Sequence, residues 1–143
     1  AGRRLNDNMA LYVAGEVVKL MAAKRLHVKG ARILVLGLTF KENCPDLRNS
    51  KVIDIIRELE GKYGAKVDVF DPWIDVKEAQ HEYGLALSGL DRFKDLDGLV
   101  LAVAHQAFGD MKRASFEAML RPKGAVVDVK AFIPAAQRPA GRP

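Results

Sequence analysis

With 143 residues, 49% of them hydrophobic, the chain has enough material for one domain with a packed core and too little for two ordinary ones. A formal net charge of +5 suits an anionic small ligand, nucleic acid or an acidic partner; the cations are interleaved with acids, with no arginine-rich arm, zinc-finger spacing or aromatic RNA-binding signature, so no nucleic acid is expected. No apolar run reaches the eighteen or so residues of a membrane span, no apolar stretch follows Arg3-Arg4 as in a signal peptide, and one cysteine forms no internal disulfide, so a cytoplasmic protein without a membrane partner is expected.

The first predicted element is a long helix from Leu5 to His27. Leu5, Met9, Tyr12, Val13, Val17, Leu20 and Met21 recur at three- and four-residue spacing, and Leu11 and Val18 add apolar surface off that stripe. Such a helix packs on more than one neighbour, either within one core or against a second subunit. Lys29-Gly30 is the expected stop.

Strands and helices then alternate. Ala31–Gly37 is a continuous apolar run of the kind buried on both faces of a sheet. Ser50–Tyr63 reads as a helix with Val52, Ile55, Ile56, Leu59 and Tyr63 on one face. Lys66–Asp71 is the second strand, Val76–Tyr83 a short helix, Ala86-Leu87 a brief strand and Leu90–Leu96 a weak helix. Gly98–Ala104 is the central strand, Ser115–Leu120 a short helix and Gly124–Val129 the last strand. This order predicts an α/β domain: a Rossmann-like parallel sheet with helices on both faces, preceded by the long N-terminal helix. The tail from Pro134 is expected to fray.

Open parallel sheets bind ligands beyond the carboxyl ends of their strands. The residues there are the loop from Gly37 to Ser50, then Asp71-Pro72-Trp73, His105–Phe108 and Lys130-Ala131-Phe132. A dinucleotide fold would place G-x-G-x-x-G after the first strand; only Gly37 is present. The loop instead carries Lys41 and Arg48 ahead of a helix start at Asn49-Ser50. Two readings stand: a phosphate or sugar-oxygen site at a helix N-terminus, or a solvated loop with a capped helix. A phosphorylated receiver sheet is rejected, because Thr39-Phe40-Lys41 and His105-Gln106 replace the acids it needs. Cys44, followed by Pro45, has no adjacent histidine and is read as structural. His105 and Asp71 each face either a ligand or a structural partner, and Trp73 either stacks on a ring or covers the core.

The run Gly37-Leu38-Thr39-Phe40-Lys41-Glu42-Asn43-Cys44-Pro45-Asp46-Leu47-Arg48-Asn49-Ser50 closely resembles the loop that opens the C-terminal, UDP-binding domain of UDP-glucose/GDP-mannose dehydrogenases. Ala1–Met9 resembles the beginning of the last part of that family's central dimerisation helix, and Asp71-Pro72 and Val127-Asp128-Val129-Lys130 fall at its strand-end motifs. The Asn-Cys-Pro-Asp form looks most like the bacterial branch that oxidises UDP-N-acetylhexosamines for surface polysaccharides. The resemblance implies oxidation of a sugar C6 alcohol to a carboxylate with NAD, by way of a catalytic cysteine in a Gly-Gly-x-Cys motif. Neither that motif nor the NAD fingerprint occurs here, so no catalytic residue and no dehydrogenase activity are expected of this chain alone, and NAD would be held mainly by a separate N-terminal domain.

The same resemblance implies that Phe40 and Lys41 contact the UDP-sugar, that Arg48 reaches the NAD side of the cleft, and that Arg3 or the adjacent Arg4 enters a neighbouring subunit's sugar site. Lys130 stands where some relatives use arginine for the substrate. The implied division is 1–29 for the end of the dimerisation helix, 30–133 for the nucleotide-sugar domain and 134–143 for a flexible tail. The alternative is a non-catalytic Rossmann-like module for interaction or nucleotide sensing.

Overall fold

The computed structural model describes residues 2–39, 51–75, 77, 80–81, 90 and 93–129. Four parallel strands form one sheet: β1 (Arg32–Leu36), β2 (Lys66–Phe70), β3 (Leu96–Leu101) and β4 (Leu120–Asp128), in the order β2-β1-β3-β4. The expected parallel α/β architecture is therefore present. Side chains alternate across β1. Ile33 and Val35 enter one core with Val69 and Val100, while Leu34 and Leu36 enter a second core with Leu99, Leu101 and Val126. Burial on both faces is why these strands read as unbroken apolar runs.

The first core is covered by α1 (Gly2–Ala23) and α2 (Val52–Gly61), which pack against each other. On α2, Val52, Ile53, Ile55, Ile56 and Leu59 are buried, a face that matches the predicted periodicity. On α1 the buried stripe is Ala10, Val13, Ala14, Val17 and Met21. Met9 and Tyr12, expected in that stripe, are instead 58% and 64% exposed, with Leu11 beside them. The physical reason is helical geometry: Ala10, Val13, Ala14, Val17 and Met21 share one face at three- and four-residue spacing, and Met9 and Tyr12 each lie one residue round the helix from it, on the outward side.

The first helix also stops short of the expected His27. Arg25 takes a left-handed φ of 61°, the Leu26 N–H donates to the Met21 carbonyl at 2.9 Å, and the Arg25 N–H donates to that of Ala22 at 3.0 Å. This is the paired-bond helix stop that usually carries glycine at the left-handed position. Gly30, φ 79°, serves a later turn, where its N–H donates to the Gly64 carbonyl at 2.8 Å and leads the chain into β1.

The second core lies under α3 (Gln106–Gly109) and α4 (Arg113–Met119), with Phe93, Phe108, Phe116 and Met119 buried. Here the expected boundaries shift. Of the expected helix over Leu90–Leu96, the described residues 93–95 are not helical, the Phe93 N–H donates to the Leu90 carbonyl at 3.2 Å, and β3 begins at Leu96 rather than Gly98. Asp97 holds the start of β3 in place by accepting from the Arg32 N–H at 2.9 Å and from Arg121 at 2.8 Å. The strand ends at Leu101, not Ala104. β4 starts at Leu120, earlier than Gly124, and reaches its register with β3 through an irregularity between the Leu96–Leu120 and Gly98–Ala125 pairs, where Lys123 has φ 67°. Of the expected helix over Val76–Tyr83, the described Lys77, Gln80 and His81 are helical, and the expected strand at Ala86-Leu87 lies outside the described residues.

Candidate functional site

In this strand order the chain leaves β1 toward one edge through α2 and β2, then returns across the sheet to β3, so the crevice between the carboxyl ends of β1 and β3 is the topological switch point. Three polar side chains meet there, each from the end of a different strand: Thr39 after β1, Asp71 after β2 and His105 after β3. They are 1%, 4% and 0% exposed, the three buried polar residues among those described.

Asp71 is the hub. Its Oδ2 accepts from the Leu38 N–H at 2.7 Å, the Thr39 N–H at 3.2 Å and His105 Nε2 at 2.9 Å. Its Oδ1 accepts from the Trp73 N–H at 2.8 Å, an Asx turn around Pro72. Burial pushes the Asp71 carboxyl up, but the hydrogen bonds from His105, Leu38 and Trp73 and the charge of His105 outweigh it and hold the group below its ordinary value. An ionised carboxylate only accepts, so the proton between the two side chains is carried on His105 Nε2. Thr39 Oγ1 lies 3.1 Å from the same nitrogen.

Backbone shape makes this meeting possible. Gly37 takes φ 100° directly after β1, and its N–H donates to the Phe70 carbonyl at 2.8 Å. The chain after β3 passes over it: the Ala102 and Val103 N–H groups both reach the Leu36 carbonyl, at 3.0 and 3.4 Å. His105 then turns into α3, where the Phe108 N–H donates to its carbonyl at 3.0 Å. The His105 ring sits between Phe108, 5.5 Å away by centroids, and Trp73, 6.3 Å away. Trp73, the sole tryptophan, is 44% exposed and so stands at the rim rather than over the core.

Of the residues expected to touch substrate or cofactor, Phe40, Lys41, Arg48 and Lys130 lie outside the described residues, as does Cys44. Arg3 is in the first turns of α1, with its side chain outside the described set. Asp71 and His105 are each open in the sequence between a ligand-facing and a structural role; the fold brings them together with Thr39, which the sequence places in the loop after the first strand without a role of its own. The signal that finds all three is shared position, one to four residues past the end of an apolar strand.

This arrangement ties the ends of β1, β2 and β3 together, and Phe40 follows Thr39 directly in the sequence. Gly37 has no free space above it for a pyrophosphate, since a Cβ there would fall 2.6 Å from that of Val103. The described residues therefore do not fit the close backbone approach of a dinucleotide.

The UDP-binding domain model of the UDP-glucose/GDP-mannose dehydrogenase family matches residues 34–135. The chain is 50% identical over 130 residues to UDP-N-acetyl-D-glucosamine 6-dehydrogenase of Pseudomonas aeruginosa, covering 91% of this chain and 31% of that protein. It is 44% identical over 137 residues to the enzyme of the same name from Salmonella typhi, covering 96% and 32%. In fold it resembles NDP-N-acetyl-D-galactosaminuronic acid dehydrogenase from Methanosarcina mazei Go1, with a TM-score of 0.80 at 22% identity over 94% of this chain and 28% of that one. UDP-D-ManNAc dehydrogenase from Pyrococcus horikoshii gives 0.77 at 23% identity over 98% and 31%. The chain thus spans about a third of the length of the curated relatives it matches. With the family's UDP-binding model running from β1 past the end of β4, the chain belongs to the UDP-glucose/GDP-mannose dehydrogenase family.

Proposed function

We propose that this chain is the nucleotide-sugar-binding domain of an NAD-dependent UDP-sugar 6-dehydrogenase, with a UDP-N-acetylhexosamine as substrate. The observation that carries the reading is the buried Thr39–Asp71–His105 group at the switch point, immediately ahead of a loop that holds Phe40, Lys41 and Arg48. The 50% identity to a UDP-N-acetyl-D-glucosamine 6-dehydrogenase supports the substrate class. In this reading Phe40 and Lys41 contact the nucleotide-sugar, Lys130 adds a point charge after β4, and Arg48 faces the cofactor side of the cleft.

The enzyme as a whole would oxidise the C6 alcohol to a carboxylate for polysaccharide biosynthesis in the cytoplasm. NAD, when bound, accepts the hydrides. Because the described residues do not fit a dinucleotide, this domain's part is to hold and orient the nucleotide-sugar, with the catalytic cysteine and most NAD contacts supplied by other sequence. The proposed boundaries are 1–29, 30–133 and 134–143.

The exposed Met9, Leu11 and Tyr12 on α1 support a homodimer formed through that helix, with Arg3 extending toward the neighbour's sugar site. Among the described residues no helix is long and apolar enough to cross a membrane.

Titration calorimetry of the chain with UDP tests the reading. Binding is expected, and Lys41→Ala is expected to weaken it by about tenfold or more, the loss of one charge-assisted contact to an anion. Unchanged UDP affinity in Lys41→Ala would remove the site assignment.

A further inference from the structure

We propose that Asp71 and His105 are positioning residues for nucleotide binding: a buried clamp that fixes where the chain leaves β1, and through it the loop that carries Phe40 and Lys41. The proposal rests on the nucleotide-sugar reading above and adds two side chains that do not themselves belong to the loop.

Three observations carry it. Asp71 Oδ2 accepts from the Leu38 and Thr39 amides, the last two backbone donors before Phe40 in sequence. Those amides continue from a glycine in a left-handed conformation, where the backbone has the widest choice of direction and an external anchor selects one. His105 holds the anchor in turn: its Nε2 meets both Asp71 Oδ2 and Thr39 Oγ1, so one imidazole ties the ends of β1 and β2 to the end of β3.

The burial of the group argues for orientation over direct contact. Both side chains of the Asp71–His105 pair are 0% exposed, so neither offers a free face to a nucleotide. A buried carboxylate accepting four hydrogen bonds is also costly to rearrange, which makes it a rigid reference point. An ordinary apolar contact would close the sheet equally well. What the carboxylate adds is direction, because it accepts from two successive amides and fixes the peptide plane between them.

The test compares His105→Leu with wild type by titration calorimetry using UDP, alongside thermal unfolding. His105→Leu is expected to weaken UDP by about tenfold, since it has no donor for Asp71 and a hydrogen bond to a charged group is lost, whereas His105→Gln, whose amide can still donate, is expected to keep most of the affinity. Met119→Ala, at the opposite end of the sheet and also buried, controls for stability: it is expected to lower the unfolding midpoint while leaving UDP affinity unchanged. Should His105→Leu fail to fold, Thr39→Val takes its place, with Thr39→Ser expected to restore affinity. Wild-type affinity in His105→Leu or Thr39→Val overturns the clamp, and so does an equal affinity loss in Met119→Ala. Wild type that binds no UDP at millimolar concentration removes the nucleotide reading and with it the clamp, a result distinct from unchanged affinity in the variants.

Discussion

Gly37 lies directly under Val103: a Cβ at Gly37 would stand 2.6 Å from the Val103 Cβ and 2.9 Å from its amide nitrogen. The backbone there also has φ 100°, which L side chains rarely adopt. Both costs fall on one substitution, and one of the close atoms is backbone, which cannot swing aside. Gly37→Ala is therefore expected to destabilise the fold by about 3 kcal/mol. Urea unfolding of the variant beside wild type measures it.

Asp71 gives a pH signature. Its folded-state value is depressed, so its contribution is present above the unfolded value and is lost as pH falls through the folded one. Wild type is expected to lose stability as pH drops below about 4, with this carboxylate taking part. Asp71→Asn is expected to be less stable at neutral pH and to show a shallower decline over the same acid range. Urea midpoints collected across that range separate the two slopes; parallel slopes would show that Asp71 takes up its proton at the same pH folded and unfolded.

The outward side of α1 predicts self-association. Met9, Leu11 and Tyr12 form an exposed apolar group on one helix, more than isolated surface residues require. Tyr12→Asp is expected to shift the chain from the proposed dimer to monomer in sedimentation velocity and to remove the concentration dependence of the unfolding midpoint, leaving the core itself intact because Tyr12 takes no part in it. A monomeric wild type at high concentration would argue against the helix as an interface.

Arg121 and Asp97 form an ion pair at 2.8 Å, but Arg121 is half exposed. Arg121→Ala is expected to cost no more than about 1 kcal/mol. Asp97→Ala should cost more, because it also removes the acceptor for the Arg32 N–H at the start of β1. A pair of thermal melts ranks them.

The parallel sheet was legible in the sequence because burial on both faces leaves a simple mark, the runs at Ile33–Leu36 and Leu99–Leu101. The inward face of α1 was not. Hydrophobicity alone favours Met9 and Tyr12 over Ala10 and Ala14, yet the alanines share the inward face with Val13, Val17 and Met21. The ends of β3 were also misjudged, because Ala102 and Val103 keep the apolar character of a strand while their amides converge on one carbonyl, that of Leu36. At the site, Asp71 and His105 could be marked as strand-end residues one by one. Their union with Thr39 depends on strand order, which no local pattern reveals.

That union has a kinetic meaning. Its hydrogen bonds join residues 33, 34 and 66 positions apart, across both the β1–β2 and the β1–β3 pairings. A β1–α2–β2 unit can assemble from nearer contacts, whereas β1 and β3 must close a longer loop, a step that slows folding. The three side chains come together only when both pairings are made. A chain with only one of the two pairings formed holds an incomplete hydrogen-bonded group, so separating β1 from β3 is enough to take it apart.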